Sequence, residues 1–199
     1  AETVINVPSA HLTLEDQLHI CREARDAARR GIGVVITHGT DTLEETAMLA
    51  DVVHDSWAPI VITGAIRPAS APGADGPANL SDAVSVAASQ AAAGMGALVV
   101  FGGEIHHARC VRKTDTTSLV AFSSPQTGQL GRVTEGHPII WSRIPRNQPL
   151  DPPNLDRRVL VVPTMAGDDG SLAQAALATE PDGVVIGTLG AGHLGPPLL

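Results

Sequence analysis

Short runs of apolar, mostly β-branched residues recur along this chain and restrict the folds that it can adopt. Five such runs occupy residues 34–36, 60–62, 97–100, 159–162 and 184–186. Each run is continuous rather than alternating with polar residues, which is typical of strands covered on both faces of a sheet. Because helix-like segments separate the runs, the alternation of strand and helix predicts a parallel sheet with right-handed crossovers.

The segments between the runs place apolar residues at helical spacing. They predict helices at residues 13–30, 43–54 and 79–93, and a further helix that opens at Ser171. Aromatic residues make up only 2% of the chain, so the core must consist of Ala, Val, Leu and Ile. The predicted fold class is α/β: a three-layer, Rossmann-like domain with a parallel sheet, followed by the start of a second, smaller α/β domain.

A proline-rich stretch separates the two predicted domains. The sequence R-I-P-R-N-Q-P-L-D-P-P-N-L-D-R, from Arg143 onward, contains four prolines, which can continue neither a helix nor a central strand. The predicted organisation is therefore a large N-terminal α/β domain over residues 1–143, a linker over 144–157 and a partial smaller domain over 158–199.

Composition and spacing argue against several function classes. The net charge is −8, with a single lysine and no basic stripe, so nucleic acid is not an expected partner. No apolar run approaches the roughly 20 residues of a membrane span. Cys21 and Cys110 lack metal-ligand spacing and are interpreted as packing thiols. E-I-H-H at 104–107 lacks a third ligand, and the glycine turn at 187–192 lacks G-x-G-x-x-G order, so neither a metal nor an organic cofactor is predicted.

A hydroxyl and a carboxylate follow the first apolar run directly, at Thr40 and Asp41. In open α/β sheets, ligands bind beyond the carboxyl ends of the strands. Thr42 and Glu45 match a T-x-x-E capping box, which predicts a helix start just past the pair. Gly39 is expected to let the backbone turn and approach a ligand closely. The alternative is that Asp41 and Thr42 merely cap the helix.

The chain's only lysine, Lys113, is the candidate proton acceptor. A threonine hydroxyl is a poor nucleophile and needs a neighbouring base. Burial lowers the pKa of a lysine and a nearby carboxylate raises it, so an arrangement of Thr40, Lys113 and Asp41 could tune the amine for proton transfer. The alternative is that Lys113 is an ordinary solvated charge.

Residues 36–47, I-T-H-G-T-D-T-L-E-E-T-A, resemble the second signature of the bacterial-type L-asparaginase/glutaminase family. The likeness continues in order along nearly the whole chain. Its further segments are V-I-T-G-A-I-R-P at 61–68, A-D-G-P-A-N-L at 74–80, E-I-H-H-A-R at 104–109, R-K-T-D-T-T-S at 112–118 and D-G-V-V-I-G-T-L-G-A-G-H at 182–193.

The resemblance implies hydrolysis of L-asparagine to L-aspartate and ammonia by a threonine-nucleophile, acyl-enzyme mechanism without a cofactor. It also implies a homo-oligomer, usually a tetramer with sites between subunits. Thr40 would be the second catalytic threonine, Asp41 would bind the substrate amino group, and Lys113 would be their proton partner.

The same resemblance implies four substrate-binding positions. Ser9 matches the residue that holds the substrate α-carboxylate, and Gly39 and Ala65 would supply backbone contacts. His193 lies where a neighbouring subunit closes the site in the family.

The chain departs from the family pattern at two points near its start. The family opens with a strand that ends T-G-G-T-I and carries the threonine usually assigned as the acylated nucleophile, and no such strand precedes Ala1. Ala10 stands where the family has Gln or Glu. These departures, with the incomplete smaller domain, favour the hypothesis that the 199 residues belong to a longer polypeptide.

Three alternatives therefore stay open: a non-catalytic amino-acid-binding homologue, an inactive fragment, and the ammonia-supplying subunit of a tRNA-dependent amidotransferase. Preference for asparagine or glutamine is open as well, and a cytoplasmic location is favoured.

Overall fold

The computed structural model describes residues 1–150 and 155–198. The chain divides into two compact units, Ala1–Pro152 and Pro153–Leu199. The predicted linker, 144–157, spans this division, and its residues 151–154 lie outside the described part of the chain.

The first unit is built on a six-stranded sheet in the order β1-β2-β3-β4-β7-β8. The strands of this unit, in chain order, are β1 (Val34–Thr37), β2 (Ile60–Thr63), β3 (Ala97–Phe101), β4 (Glu104–His107), β5 (Arg112–Lys113), β6 (Phe122–Ser123), β7 (Gly131–Thr134) and β8 (His137–Ile140). The strands β1, β2 and β3 are parallel, whereas β4, β7 and β8 join them as antiparallel neighbours. The short strands β5 and β6 form a separate antiparallel pair.

Helices cover both faces of this sheet. They are α1 (Leu14–Arg29), α2 (Leu43–Val53) and α3 (Gly76–Ala87). Helix α3 packs on the face that carries Val61, Leu98 and Val100. Because side chains alternate along a strand, Ile62 and Val99 face the opposite side, and they are completely buried beneath α1 and α2. The α/β, Rossmann-like fold class is confirmed, with an antiparallel extension to the predicted parallel sheet.

The boundaries of α3 differ from those that the sequence predicts. The helix begins three residues earlier than expected, at Gly76, and it carries a proline in its first turn, where the missing N–H costs nothing. It ends at Ala87, and residues 90–92 form a separate 3₁₀ turn whose N-cap, Ser89, accepts a hydrogen bond from the N–H of Ala91.

A groove of about 880 Å³ runs along the outer edge of β1. The groove is lined by residues 1–7, by residues of α1 that include Ile20, Glu23 and Ala24, and by residues 32–37. Strand β1 stands at the end of the sheet order and pairs with β2 alone among the described strands, so its other edge is free to accept a further strand.

The second unit contains a parallel pair of strands and one helix: β9 (Val159–Pro163), α4 (Ser171–Leu177) and β10 (Gly183–Gly187). The predicted strands and helix are therefore present. Val161 is 74% exposed and its register partner Val185 is 55% exposed, so one face of this strand pair is open to solvent. The apolar runs predict instead that both faces of these strands are covered.

Among the described helices, none combines the length and the apolar character that crossing a membrane requires.

Candidate active site

A pocket of about 310 Å³ lies at the carboxyl ends of β1 and β2, where open α/β sheets bind their ligands. Its lining combines the two strand ends with the start of α3: Thr37, His38, Thr63, Gly64, Ala65, Gly76 and Leu80. The loop that leads from β1 to α2 and carries Thr40 and Asp41 leaves the sheet at this edge.

Lys113 reaches both predicted partners. Its Nζ donates hydrogen bonds to Thr40 Oγ1 at 3.0 Å and to Asp41 Oδ1 at 3.1 Å. The lysine side chain is only 18% exposed, whereas that of Asp41 is 64% exposed and open to a ligand. The amine therefore lies between a hydroxyl and a carboxylate, which is the arrangement that the sequence predicts for a threonine and its proton partner.

The carboxylate of Glu44 holds the backbone of the same lysine. Its Oε2 accepts a hydrogen bond from the N–H of Lys113, and its Oε1 lies 3.5 Å from Nη1 of Arg112. Sequence analysis missed this contact because the two residues are 69 positions apart and Glu44 looks like any acidic residue in the first turn of a helix.

Ser9 is buried beneath the loop that precedes α2. Its Oγ accepts a hydrogen bond from the N–H of Asp41 at 3.2 Å, and its carbonyl accepts one from the Thr42 hydroxyl at 2.9 Å. Helix α2 begins after Thr42 as predicted, but the predicted capping box with Glu45 is wrong. The Thr42 side chain makes no cap hydrogen bond, and its hydroxyl donates to the carbonyl of Ser9.

Gly39 lies against the same serine. A Cβ at this position would come within 2.6 Å of Ser9 Oγ, and the φ of Gly39 is not in the left-handed region. The glycine is thus required for the close approach of two segments, rather than for the backbone turn that the sequence suggests.

The side chain of His38 contacts two groups that hold the loop before α2 in place. No local pattern in the sequence indicates this role. Its Nδ1 lies 2.7 Å from the carbonyl of Gly39 and its Nε2 lies 3.0 Å from Thr46 Oγ1. Because a carbonyl can only accept, Nδ1 carries the proton and Nε2 accepts from the threonine hydroxyl. Burial lowers the pKa of His38, which favours the neutral ring.

Ala65 lines the pocket in the loop after β2, and Asp75 and Asn79 hold that loop. The carboxylate of Asp75 accepts hydrogen bonds from the N–H groups of Ile66 and Arg67, both at 2.9 Å, and Asn79 Nδ2 donates to the carbonyl of Gly64 at 3.0 Å. Although burial acts to raise the pKa of Asp75, these backbone donors outweigh it and lower the pKa below its ordinary value.

His193 lies in the second unit, where its backbone pairs with Leu189 in an isolated antiparallel bridge. The structure thus brings Thr40, Asp41, Lys113, Ser9 and Gly39 into one connected cluster, with Ala65 in the adjoining pocket. The role predicted for His193 stays a prediction.

No metal site competes with this interpretation in the part of the chain that the structure describes. Within residues 1–150 and 155–198, no group of three or more His, Cys, Asp and Glu side chains could hold a metal ion. In the E-I-H-H segment, His106 is buried and its Nδ1 lies 3.0 Å from Ser124 Oγ, which is a structural contact.

Comparison with known proteins shows that the chain is similar to members of one family. The model of the asparaginase N-terminal domain matches residues 1–145. A probable L-asparaginase of Deinococcus radiodurans is 39% identical over 197 residues, which cover 98% of this chain and 61% of that protein. L-asparaginase 2 of Escherichia coli is 35% identical over 200 residues, which cover 97% of this chain and 57% of that protein.

A solved structure shows the same fold. A probable cytoplasmic L-asparaginase from Campylobacter jejuni matches with a TM-score of 0.90 and 33% sequence identity, over 99% of this chain and 65% of that one. The chain spans about three fifths of the length of the curated relatives named above. The match of the family model and the similarity to these relatives show that the chain belongs to the asparaginase family.

Proposed function

We propose that the intact protein hydrolyses L-asparagine to L-aspartate and ammonia. The observation that carries this proposal is the contact of Lys113 Nζ with both the Thr40 hydroxyl and the Asp41 carboxylate. Family membership supports it, because relatives that match 97–98% of the chain are L-asparaginases or probable L-asparaginases by name. A glutaminase-asparaginase of Pseudomonas fluorescens, 42% identical over 146 residues (72% of this chain and 40% of that protein), supports glutaminase side activity.

The proposed mechanism assigns each step to a named group. Asp41 binds the substrate amino group, Ser9 holds the α-carboxylate, and the backbone of Gly39 and Ala65 contacts the substrate. A threonine hydroxyl attacks the side-chain amide carbon while Lys113, hydrogen-bonded to Thr40, carries the proton that the departing ammonia receives. Water then hydrolyses the acyl ester and releases aspartate.

The acylated threonine in this mechanism would come from a strand beyond the described residues, with Thr40 as the second catalytic threonine. The groove along the free edge of β1 supports this assignment, because an unpaired strand edge can bind an added strand. The activity is accordingly proposed for the intact protein.

The test is ammonia release from L-asparagine and L-glutamine by the intact protein and two variants. Lys113→Met and Thr40→Val should each lower kcat by about 10³-fold or more, since each variant removes one member of the hydrogen-bonded pair that is proposed to transfer the proton. Melting temperatures should change little. Arg22→Met, which removes an exposed cation from α1, is the matched control and should retain full activity. Unchanged turnover in both site variants would remove this cluster from the reaction.

The same assay separates the other candidate functions. A melting temperature raised by aspartate, without any ammonia release, would indicate an amino-acid-binding homologue. Ammonia release only with a partner chain would indicate an amidotransferase subunit.

We further propose a homo-oligomer, dimer or tetramer, in which His193 closes the site of a neighbouring subunit. A cytoplasmic location is proposed because the Campylobacter jejuni neighbour is described as cytoplasmic.

A further inference from the structure

The side chain and the backbone N–H of Lys113 both make hydrogen bonds to one short segment of the chain, residues 40–44. At one end, Nζ meets Thr40 and Asp41, in the loop just before α2. At the other end, the backbone N–H of Lys113 donates to Glu44, in the first turn of the same helix. Residues 40–44 therefore present a hydroxyl and two carboxylates to a single residue of β5.

The attachment through the backbone matters because it ties β5 directly to the start of α2. This strand is two residues long and pairs only with the equally short β6 among the described strands. A lysine side chain is a flexible four-carbon stem, so the position of its amine depends on where its Cα is held. The side chain of Glu44 is 22% exposed, and its hydrogen bond to Lys113 is partly buried.

We propose that Glu44 is a positioning residue for Lys113. Its carboxylate fixes the backbone of β5 against the start of α2, so that the amine lies at the Thr40 hydroxyl. This role rests on the proposed amidohydrolase function, in which Lys113 transfers a proton. The Glu44 carboxylate contacts the Lys113 N–H and Arg112, neither of which takes part in the proposed reaction.

Two variants distinguish this hydrogen bond from a simple effect of charge. Glu44→Ala removes the acceptor of the Lys113 N–H. Glu44→Gln removes the charge but keeps an amide oxygen that can accept the same hydrogen bond. Glu15→Ala is the matched control, because Glu15 is the second residue of α1, as Glu44 is of α2. It removes the same favourable interaction of an acidic side chain with the start of a helix.

The kinetic experiment measures kcat and KM for ammonia release from L-asparagine in the intact protein. Glu44→Ala should lower kcat by about 10²-fold with little change in KM, because a displacement of about 1 Å at a catalytic group has effects of that size. Glu44→Gln should stay within about threefold of the wild type, since the acceptor is retained. Glu15→Ala should behave as the wild type.

Hydrogen exchange at the Lys113 amide gives a second readout that does not depend on activity. Exchange should accelerate in Glu44→Ala and stay slow in Glu44→Gln, while amides in β2 and β3 report that both variants remain folded. Retained kcat in Glu44→Ala, equal losses in both variants, or unchanged exchange at Lys113 would each overturn the proposal. An inactive wild type would refute the proposed function itself, whereas an active wild type with a fully active Glu44→Ala refutes only the positioning role.

Discussion

At the scale of single residues, the site is shaped by the close approach of Gly39 to Ser9. The serine accepts a hydrogen bond from the N–H of Asp41, and the hydroxyl of Thr42 donates to its carbonyl. Asp41 and Thr42, in the loop before α2, are thus both held by one buried serine, whose close approach requires the absence of a side chain at Gly39. Ser9 is therefore as much a support of the loop as a candidate ligand for the substrate carboxylate.

This close approach makes Gly39→Ala a sensitive test. The added methyl group would meet Ser9 Oγ and Cβ at 2.6 and 2.8 Å, so the serine must shift. We expect a loss of about 1–3 kcal/mol in the free energy of unfolding, as for other overpacked sites, and a raised KM for asparagine. Urea denaturation and steady-state kinetics measure both effects.

Gly195→Ala provides the control for this variant. The nearest atom to its new methyl group would be 3.7 Å away, and its φ is also outside the left-handed region, so stability and KM should be unchanged. Equal behaviour of the two variants would show that the loop before α2 adapts to the extra atom.

At the scale of elements, helix α2 connects the site to a buried polar group at its other end. Thr40 and Asp41 precede the helix, whereas His54, its C-cap, is 1% exposed. Burial lowers the pKa of His54 to about 4, and the nearby Arg146 acts in the same direction, while Asp51 and Asp55 oppose them.

The lowered pKa of His54 predicts a loss of stability in mild acid. The unfolded chain binds a proton at this histidine near pH 6.5, but the folded protein binds it only near pH 4. Between these values the unfolded state holds more protons, so the free energy of unfolding falls as the pH falls. The full effect of this single group is about 3 kcal/mol, at 1.36 kcal/mol for each unit of pKa.

Urea denaturation between pH 4 and 7 measures this effect as a difference between proteins. His54→Leu should flatten the pH dependence, since the buried titrating group is gone. His19→Leu, at an exposed position of α1, should keep the slope of the wild type. Parallel curves for the wild type and His54→Leu would assign the acid sensitivity to His38, His106 and His107, whose pKa values burial also lowers.

At the scale of the whole molecule, each unit has an exposed feature that suits association. The first unit has the free edge of β1. The second has an apolar patch formed by Val159, Val161 and Val185, which lie on one face of the β9–β10 pair. Contiguous exposed apolar surface is typical of interaction sites.

We expect the intact protein to be a homo-oligomer in solution, as the family resemblance implies, and we expect Val161→Lys to weaken the assembly by placing a charge within the patch. Light scattering after size-exclusion chromatography measures the mass directly. Leu14→Lys, at a residue that is 62% exposed on the first unit, is the control. A monomeric wild type, or an assembly that Val161→Lys leaves intact, would contradict this prediction.

Patterns within a few residues of one another were enough to predict much of this protein. Continuous apolar runs identified β1, β2, β3, β9 and β10. Burial on both faces explains this pattern for β2 and β3, whereas one face of the β9–β10 pair is open despite its apolar runs. The segment T-H-G-T-D-T led to the family, and comparison confirmed the family and the fold class. The roles of Thr40, Asp41 and Lys113 stay predictions, although the structure places their side chains together.

Contacts between distant segments could be decided only by the folded chain. The strands β4 to β8 lack a long apolar run, since antiparallel strands such as β7 alternate buried and exposed residues. The local pattern at Thr42 predicted a capping box, but the carbonyl of Ser9, 33 positions away, takes the hydroxyl instead. Glu44 meets Lys113 for the same reason: hydrogen bonds depend on distance in space, and the packing of the whole unit determines that distance.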